Sequence, residues 1–429
     1  MQPLRIVADA NIPAAREAFG RFGSVRLLPG REITRAAAES ADVLLVRSVT
    51  RVDEALVGGT PVRFVGTATA GTDHVDTDAL ARLGVAFASA PGSNATSVVE
   101  YVLAALLAVA SDRGEDIAGK TLGVVGAGAV GGRLVPRARA LGMSVLVCDP
   151  PRAAAGHLDH DYLPPDDVLA GSDIVTLHTP LTGLHESPWP TRGLISARNL
   201  ASMKPSAWLV NAARGEVVDG PALLAERPRP LLFDCWPGEP APDPRLVDRV
   251  TLGTPHIAGY SAEGKLAGTA MVAEVLRDWA SAEGLNAPWT APAAVARFVD
   301  APNRAQHATN TSWLADLQGA TYSILDDEGR FRAAMAATGP DPSARAAAFA
   351  ELRRTYPTRH ENAAFVVRDH VPVDLRRAVT EGLGMRIEDD QQPPAGGRAA
   401  PAVGGRFRDG TAELPPTPPA AESPPRGGG

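Results

Sequence analysis

Three polar side chains in the second half of the chain have types and positions suited to acid–base chemistry on a small acid. Arg214, Glu239 and His256 each follow an apolar, strand-like run. Because ligands in open α/β sheets bind beyond the carboxyl ends of strands, all three are expected at one sheet edge. A histidine can remove a hydroxyl proton, a carboxylate can fix its tautomer, and an arginine can grip a substrate carboxylate. Singly they could be an ion pair, a turn carboxylate and a loop histidine; together they predict oxidation of a 2-hydroxy acid.

A glycine-rich turn precedes these residues and predicts the electron acceptor. Gly126, Gly128 and Gly131 form a G-x-G-x-x-G pattern between an apolar strand and a helix, and Asp149 ends the next strand 18 residues after Gly131. In that context the pattern is typical of dinucleotide binding, with the pyrophosphate at the helix N-terminus. Asp149 would bind ribose hydroxyls and repel a 2′-phosphate, which favours NAD over NADP, although nearby Arg152 could soften that preference.

Two α/β units position these side chains. Short apolar runs alternate with helix-like stretches through residues 4–110 and again from residue 121 to about 281, which predicts parallel sheets with crossover helices. We therefore predict an α/β protein with two Rossmann-like or flavodoxin-like parallel-sheet domains and a cleft between them. The predicted strands and helices are Leu4–Ala8, Ala14–Phe19, Val43–Arg47, Phe64–Gly66, Asp78–Leu83, Val85–Ala88, Asn94–Ala110, Leu122–Val125, Gly132–Leu141, Val145–Cys148, Ile174–Leu177, Trp208–Asn211, Leu231–Asp234, Val250–Gly253 and Glu263–Ser281.

The chain beyond residue 285 has a different texture. Residues 303–388 mix helix patterns at Ser343–Arg353 and Asp374–Gly382 with a strand pattern at Ala363–Arg368, which predicts a small α+β domain. From Gln391 to Gly429, 17 of 39 residues are Gly or Pro, so this tail is predicted to be disordered. The predicted domains are residues 1–95 with 257–285 for substrate, 96–256 for NAD, 286–388 for dimerisation, and a tail at 389–429.

Composition excludes several classes of protein. The 429-residue chain has a net charge of −7, and its Lys and Arg residues form no basic run, which argues against nucleic acid as the main partner. The first ten residues do not form a signal peptide, and the apolar run Tyr101–Ala110 is about half a membrane span, so a buried helix and no membrane partner are expected. Cys148 and Cys235 are expected to be buried free thiols of a cytoplasmic protein. No cluster has convincing zinc spacing, so we predict no metal.

The chain resembles the D-isomer-specific 2-hydroxyacid dehydrogenases, which share the glycine turn and the order Arg214, Glu239, His256. Within that superfamily it is similar to the members that oxidise 4-phospho-D-erythronate. The stretches that carry the similarity are Val46–Thr50, Phe64–Asp76, Val98–Val102, Cys148–Arg152, His178–Leu181 and His256–Tyr260. The similarity covers nearly all of residues 4–270, and a weaker similarity continues to about residue 388, where those members have a dimerisation domain.

The resemblance implies that 4-phospho-D-erythronate and NAD give 2-oxo-3-hydroxy-4-phosphobutanoate and NADH, in vitamin B6 synthesis. It implies that Arg214 orients the substrate, that Glu239 is the partner of His256, and that His256 donates or accepts the proton. Implied substrate contacts are Ser48, Thr69 and Tyr260. Implied NAD contacts are Asp149, Thr179, Ala212, Ala213, Arg214, Asp234 and Gly259. It also implies a homodimer.

Other residues are interpreted beside this resemblance. Arg47, next to Ser48, is the candidate for binding a substrate phosphate, and His74 and Asp76 are expected to have structural or cleft-lining roles. The chain departs from the usual pattern at Ala213 and Ser93, where cysteines are common, and over Gly183–Gly193. Three alternatives remain open: a dehydrogenase for phosphoglycerate, glyoxylate or a similar acid; a nicotinamide-sensing binding protein; and a relative that binds NAD but has lost turnover.

Overall fold

The computed structural model describes residues 3–282, 289, 292 and 295–388. All of them belong to one compact unit, Met1–Asp390. The predicted disordered tail and the predicted domain junction near residue 285 lie outside the described residues.

The N-terminal sheet has five parallel strands in the order β2-β1-β3-β4-β5. Its strands are β1 Leu4–Asp9, β2 Gly23–Leu28, β3 Val43–Val46, β4 Phe64–Thr67 and β5 Ala86–Ala88, and its helices are α1 Ala15–Phe19, α2 Arg35–Ala38, α3 Glu54–Val57 and α4 Thr77–Arg82. This order is the flavodoxin-like one, as predicted. β3 and β4 are buried along their whole length, as strands covered on both faces are.

The N-terminal sheet also contains elements that the sequence did not predict. β2 is an edge strand whose exposed Ser24 and Arg26 interrupt the apolar run, so its signal is weak. The short helix α3 begins at Asp53, whose carboxylate accepts a hydrogen bond from the Leu56 amide. Asp76 caps α4 in the same way through the Ala79 amide, which is the structural role expected for it.

The second sheet has six parallel strands in the order β11-β10-β9-β8-β6-β7. Its strands are β6 Thr121–Val125, β7 Ser144–Cys148, β8 Ile174–Leu177, β9 Trp208–Asn211, β10 Leu231–Phe233 and β11 Leu252–Gly253. Its helices are α6 Gly131–Ala140, α7 Pro150–Ala154, α8 Pro165–Gly171, α9 Ala197–Ser202, α10 Gly220–Ala225 and α11 Pro244–Arg249. A single parallel bridge from Val147 to Tyr162 stands beside β7, where the third strand of a Rossmann sheet would lie. In this order the chain runs outward from β6 to β7 on one side and from β8 to β11 on the other. The strand order thus reverses between β6 and β8, and ligands bind at such a switch point.

Two long helices connect the sheets. α5, Ala95–Asp112, is long and apolar enough to cross a membrane by length and composition, but 78% of that window is buried inside the protein, as in a core helix. α12, Ala262–Ala282, follows the second sheet and returns to the first, where Val272 and Leu276 join a core with Ile6 and Phe64. The Phe64 and Trp279 ring centroids are 5.3 Å apart. Both sheets are thereby linked twice, at the bottom of the predicted cleft.

The third region combines a three-stranded parallel sheet with helices, in agreement with the predicted α+β class. Its elements are β12 Arg297–Asp300, α13 Asn310–Thr321, α14 Ile324–Ala337, α15 Pro342–Arg354, β13 Phe365–Arg368 and β14 Arg386–Ile387. A helix is present over the predicted Asp374–Gly382, in irregular form: a 3-10 turn at Val373–Leu375 leads into a π-helix at Ala378–Leu383. Gly382 packs against Leu141 after α6, where a Cβ would come within 2.8 Å of the Leu141 side chain.

The third region shares a hydrophobic core with the second sheet. The Trp236 and Phe331 ring centroids are 5.1 Å apart, and Phe349 packs edge-on against Phe331. Arg332 donates hydrogen bonds to the carbonyls of Val247 and Val250. The α13–α15 helices therefore cover the same strands whose ends carry the candidate site.

Candidate active site

The glycine turn after β6 has the backbone geometry that a dinucleotide site needs. Gly126 has a φ of 91°, and a Cβ on it would come 2.7 Å from the carbonyl oxygen of His178. A Cβ on Gly131 would come 1.9 Å from the carbonyl oxygen of Gly126, so only glycine fits at either position. A Cβ on Gly128 would meet nothing within 4 Å, which leaves open space where a pyrophosphate would approach.

Asp149 lies directly beside this turn. Its Oδ2 accepts a hydrogen bond of 2.8 Å from the Ala127 amide, and its Oδ1 accepts one of 3.1 Å from the Arg152 amide. The guanidinium of Arg152 is turned to Tyr162 and Asp159, at 2.9 Å each. The positive charge of Arg152 is thus paired with Asp159. The negative carboxylate of Asp149 is left to meet the ribose, which favours NAD over NADP.

Two buried polar atoms at the switch point have no hydrogen-bond partner among the described residues: Nδ1 of His178 and Oγ1 of Thr179. Burial lowers the pKa of His178 to about 3, so its ring is neutral, and a 2.9 Å hydrogen bond joins its Nε2 to Thr176 Oγ1. Unpaired buried polar groups are costly, so a ligand that hydrogen-bonds them is favoured. These atoms, the open space at Gly128 and Asp149 together fit NAD.

The predicted catalytic pair is formed. Glu239 Oε1 accepts a 2.6 Å hydrogen bond from His256 Nδ1, and both side chains are part-buried. Burial alone would raise the pKa of Glu239, but the hydrogen bond from His256 and its charge outweigh burial and hold that pKa below the ordinary value. Glu239 is thus a carboxylate that orients the ring and leaves His256 Nε2 available for a substrate.

Asp234 shapes the loop that carries His256. Its carboxylate is buried and accepts hydrogen bonds of 2.7 Å from Thr254 Oγ1 and the Ile257 amide, and one of 2.9 Å from the Ala258 amide. The His256 amide donates to the Asp234 carbonyl at 2.8 Å and to the Thr254 carbonyl at 3.1 Å, and His256 adopts a left-handed φ of 56°. If Asp234 also contacts NAD, as the resemblance implies, its carboxylate oxygens must accept that hydrogen bond in addition to those from Thr254, Ile257 and Ala258.

Arg214 reaches across from the second sheet to the first. Its Nη2 donates a 3.0 Å hydrogen bond to Asp73, which follows β4, and its Nη1 donates a 2.9 Å bond to the Ala213 carbonyl. Burial opposes the charge of Arg214, but the pairing with Asp73 keeps its pKa above the ordinary value. Asp73 was not singled out from the sequence, although it lies in the run that carries the resemblance. Ala213 is buried and Ala212 is part-buried beside β9.

The candidate substrate residues lie in turns after β3 and β4. Ser48 is exposed in a turn closed by the Thr50 amide and the Arg47 carbonyl, at 3.0 Å. Thr69 Oγ1 lies 2.8 Å from Thr67 Oγ1 and donates to the Gly71 carbonyl at 2.9 Å. His74 Nε2 lies 2.9 Å from the same Thr67 hydroxyl, and burial lowers its pKa despite the charge of Asp73. His74 therefore supports the Thr69 turn, in keeping with its expected structural role.

Tyr260 is flanked by two basic side chains that the sequence analysis missed. Lys265 Nζ lies 4.7 Å from its ring centroid and Arg353 Cζ lies 5.8 Å from it. Lys265 belongs to the first turns of α12, whereas Arg353 belongs to α15 of the third region. One signal was available, since Lys265 is one of only three lysines in the chain. Gly259, next to Tyr260, packs so closely on Asn94 that a Cβ would lie 2.2 Å from its side chain.

Cys235, Glu239 and His256 bring ligand-type atoms within 4.8 Å of one another. Burial raises the pKa of Cys235 well above its ordinary value, and its thiol donates to the Ala213 carbonyl at 3.2 Å. A protonated thiol and a histidine already paired with Glu239 make a poor cation site. Both cysteines are buried and free, as predicted.

The departing segment Gly183–Gly193 forms an exposed loop after β8. Thr182 and Thr191 close its base, with the Thr182 amide 2.8 Å from Thr191 Oγ1. Leu184 and Trp189 are exposed. Pro188 and Pro190 lie in this exposed loop, outside the glycine turn and the His256 loop.

Comparison with known proteins agrees with this geometry. Residues 106–258 match the family model of the D-isomer specific 2-hydroxyacid dehydrogenase NAD binding domain. The chain is 47% identical to the erythronate-4-phosphate dehydrogenase of Salinibacter ruber over 403 residues, covering 90% of this chain and 100% of that protein. It is also 47% identical to the erythronate-4-phosphate dehydrogenase of Pseudomonas aeruginosa over 389 residues, with the same coverage.

Solved structures show the same fold over about two-thirds of the chain. A Thermus thermophilus protein is 27% identical with a TM-score of 0.54, covering 66% of this chain and 98% of that one. The NAD⁺-bound 3-phosphoglycerate dehydrogenase of Entamoeba histolytica is 22% identical with a TM-score of 0.56, covering 65% of this chain and 96% of that one.

The fold, the glycine turn and the paired histidine define an NAD-dependent oxidoreductase of the D-2-hydroxyacid dehydrogenase class. NAD is therefore its cofactor, as predicted. Within that class, the chain belongs to the erythronate-4-phosphate dehydrogenase family.

Proposed function

We propose that this chain oxidises 4-phospho-D-erythronate to 2-oxo-3-hydroxy-4-phosphobutanoate in the cytoplasm, as a step of vitamin B6 synthesis. The 2.6 Å pair of His256 and Glu239, beside a glycine turn that fits NAD, is the observation that carries the proposal. Identity to two enzymes named for this substrate supports the choice among hydroxy acids.

His256 acts as the general base in the oxidation. Its Nε2 accepts the proton of the C2 hydroxyl, and Glu239 stabilises the resulting imidazolium through Nδ1. NAD held at the glycine turn Gly126–Gly131 and by Asp149 would supply the acceptor for the hydride that leaves C2. Arg214 binds the C1 carboxylate and polarises the C2 oxygen, which requires its guanidinium to share or exchange its contact with Asp73.

The remaining roles are divided between the two sheets. Ser48, Thr69 and Tyr260 bind the substrate, and Arg47 binds its phosphate from the turn after β3. On the cofactor side, the proposed NAD contacts are Gly126, Gly128, Gly131, Asp149, Thr179, Ala212, Ala213, Arg214, Asp234 and Gly259. The unpaired Thr179 hydroxyl is the clearest of these, since it has no hydrogen-bond partner among the described residues.

The proposal is tested by following NADH absorbance with 4-phospho-D-erythronate, and in parallel with 3-phospho-D-glycerate and D-glycerate. We expect turnover with phosphoerythronate and a kcat/KM at least about a hundredfold higher than with the other acids, because their chain length or phosphate position differs. Turnover of phosphoglycerate alone would assign the chain to a different hydroxy acid. NAD binding without turnover of any acid would favour the sensing protein or the inactive relative.

We also propose that residues 1–95 with 257–285 bind the substrate, that residues 96–256 bind NAD, and that residues 286–388 form a homodimer interface. β12 is an edge strand in the described part of the third sheet, and its Phe298 is 55% exposed. Light scattering of the full chain should give twice the 44.6 kDa chain mass, and Phe298→Arg should shift it toward one chain. A monomer in both proteins would remove the dimer from the proposal.

A further inference from the structure

Basic side chains from three distant parts of the chain surround one face of the candidate site. Lys265 and Arg353 flank the Tyr260 ring, at 4.7 Å and 5.8 Å from its centroid. Arg47, in the turn after β3, lies close enough for its positive charge to act on Lys265. Tyr260 follows His256 by four residues, so this cluster lies beside the catalytic loop.

These cations are not neutralised by ion pairs. Among the described residues, no carboxylate forms an ion pair with Lys265, Arg353 or Arg47. The Arg353 Nε is buried and has no hydrogen-bond acceptor among the described residues, although the guanidinium also interacts with Tyr260. Arg47 donates a hydrogen bond to the carbonyl of Asn11, at 3.3 Å. Arg354, the neighbour of Arg353 in the sequence, is by contrast paired with Glu351.

Gathering like charges in a part-buried site is unfavourable. Burial, together with the charges of Arg47 and Arg359, lowers the pKa of Lys265 from 10.5 to about 8. Arg359 is itself buried behind the cluster, where its Nη2 donates to the carbonyls of Ser97 and Ala258. A protein keeps such an arrangement where a bound anion offsets the repulsion.

Arg353 and Arg354 are adjacent on α15 but have opposite surroundings. Arg354 is largely exposed and pairs with Glu351 on its own helix. Arg353 faces inward, and its charge acts on Tyr260, Glu239 and Asp234. Helix periodicity alone does not require an inward arginine, because an apolar side chain could cover the Tyr260 ring.

We propose that Lys265 and Arg353 join Arg47 in binding the phosphate group of the substrate beside Tyr260, an inference that rests on the proposed oxidation of 4-phospho-D-erythronate. A phosphate monoester carries close to two negative charges at pH 7 and accepts charge-assisted hydrogen bonds at three oxygens. Lysine offers a point charge and arginine a planar fork, so the set can match those oxygens. The third region thereby completes the active site through α15, in addition to any role in dimerisation.

The first test compares two substrates, 4-phospho-D-erythronate and unphosphorylated D-erythronate. Lys265→Met and Arg353→Met should each lower kcat/KM for the phosphorylated acid about 10- to 100-fold, mainly through KM, and change it less than about threefold for D-erythronate. Arg354→Met and Lys204→Met are the matched controls, because both residues pair with carboxylates elsewhere, and neither should change either value.

Equal losses on both substrates would make these residues structural supports and overturn the proposal, as would no loss on either. Absence of turnover by the unmodified enzyme with 4-phospho-D-erythronate would instead reject the proposed function.

A second test uses the unmodified protein and depends on neither folding of a variant nor turnover. Lysines are acylated with acetic anhydride at pH 8, and modification of each is read by mass spectrometry with and without inorganic phosphate. Phosphate should slow modification of Lys265 several-fold and leave Lys204 unchanged, whereas chloride at matched ionic strength should protect neither. Equal protection of both lysines, or of neither, would show that no phosphate site exists at Lys265.

Discussion

The two sides of the active site recognise their ligands by different physical means. On the cofactor side, backbone amides of a tight turn and one carboxylate, Asp149, lie within a single strand–helix–strand unit, and the buried His178 is kept neutral. On the substrate side, isolated positive charges come from the turn after β3, from α12 and from α15. Recognition of the pyrophosphate and the adenine ribose is therefore a local property of the chain, whereas binding a small anion depends on distant segments meeting.

The largest expected effect falls on the proposed acid–base residue, His256. His256→Ala should lower kcat at least about a hundredfold, the scale of general acid–base catalysis, because the variant loses the proposed base for the C2 hydroxyl. NAD affinity, measured by nucleotide fluorescence, should change less than about threefold. A joint loss of turnover and NAD affinity would show that the His256 loop also belongs to the cofactor side.

A cofactor-side change should leave the substrate side unaffected. Asp149→Ala should lower kcat/KM for NAD roughly 10- to 100-fold and narrow the preference over NADP, because the ribose loses a charged acceptor and a 2′-phosphate loses a repulsive neighbour. The KM for the hydroxy acid should remain within about twofold. Asp166→Ala is the control, since that carboxylate is exposed on α8 and pairs only loosely with Arg198, at 3.7 Å. A large rise in KM for the acid would show that the cofactor side and the substrate side are not independent.

The Asp73–Arg214 ion pair joins a residue that follows β4 of the first sheet to a residue that follows β9 of the second. Its loss should have a moderate effect. Asp73→Asn keeps a hydrogen-bond acceptor for Arg214 but removes the charge, so KM for the acid should rise several-fold while kcat changes little. Thermal stability should hardly change, because the Asp73 side chain is 63% exposed and exposed ion pairs contribute little. An unchanged KM would mean that substrate carboxylate recognition does not depend on this link.

The smallest expected effect concerns how the third region is attached. Burial, helped by the charge of Glu361, raises the pKa of Glu100 from 4.5 to about 8, and its carboxyl oxygens accept the Asn362 amide at 3.0 Å. Because the folded-state pKa is raised, this contribution to stability is complete below about pH 4.5 and is lost as the pH rises through about 8. Glu100→Gln stays neutral throughout and should lack this loss.

Thermal unfolding measured by circular dichroism between pH 6 and pH 9 tests this expectation. The Tm of the unmodified chain should fall by a few degrees relative to Glu100→Gln as the pH rises. Glu351→Gln serves as the control, since that exposed carboxylate has a lowered pKa and titrates below this range. Parallel Tm curves for all three proteins would show that Glu100 is not the group responsible.

Much of the fold could be predicted because its signals are short-range. The buried strands β3, β4, β8 and β9 are continuous apolar runs, and Gly126–Gly131 can follow only a strand that turns sharply into a helix. Prediction failed where solvent exposure or packing dilutes the signal. β2 is half-exposed, and α13 and α14 were missed.

The residues of the candidate site follow the same rule: those marked by a local pattern were predicted, and those placed by packing were not. Arg214, Glu239 and His256 were identified from their positions after strands, and the structure brings Glu239 and His256 into contact. Asp73, Lys265 and Arg353 were missed, because no local pattern marks a charged residue that faces inward. Because α12 and α15 pack beside the His256 loop, Arg353 faces Tyr260 while its neighbour Arg354 pairs with Glu351.

The sequence by itself determined the class of fold, the cofactor turn and the candidate acid–base residues, because backbone geometry and strand burial are set by near neighbours in the chain. Only the tertiary structure decided which side chains share the space around the substrate. Charges act through space over several ångströms regardless of chain separation, so the pairing of Asp73 with Arg214, and the grouping of Lys265, Arg353 and Arg47, follow from packing alone.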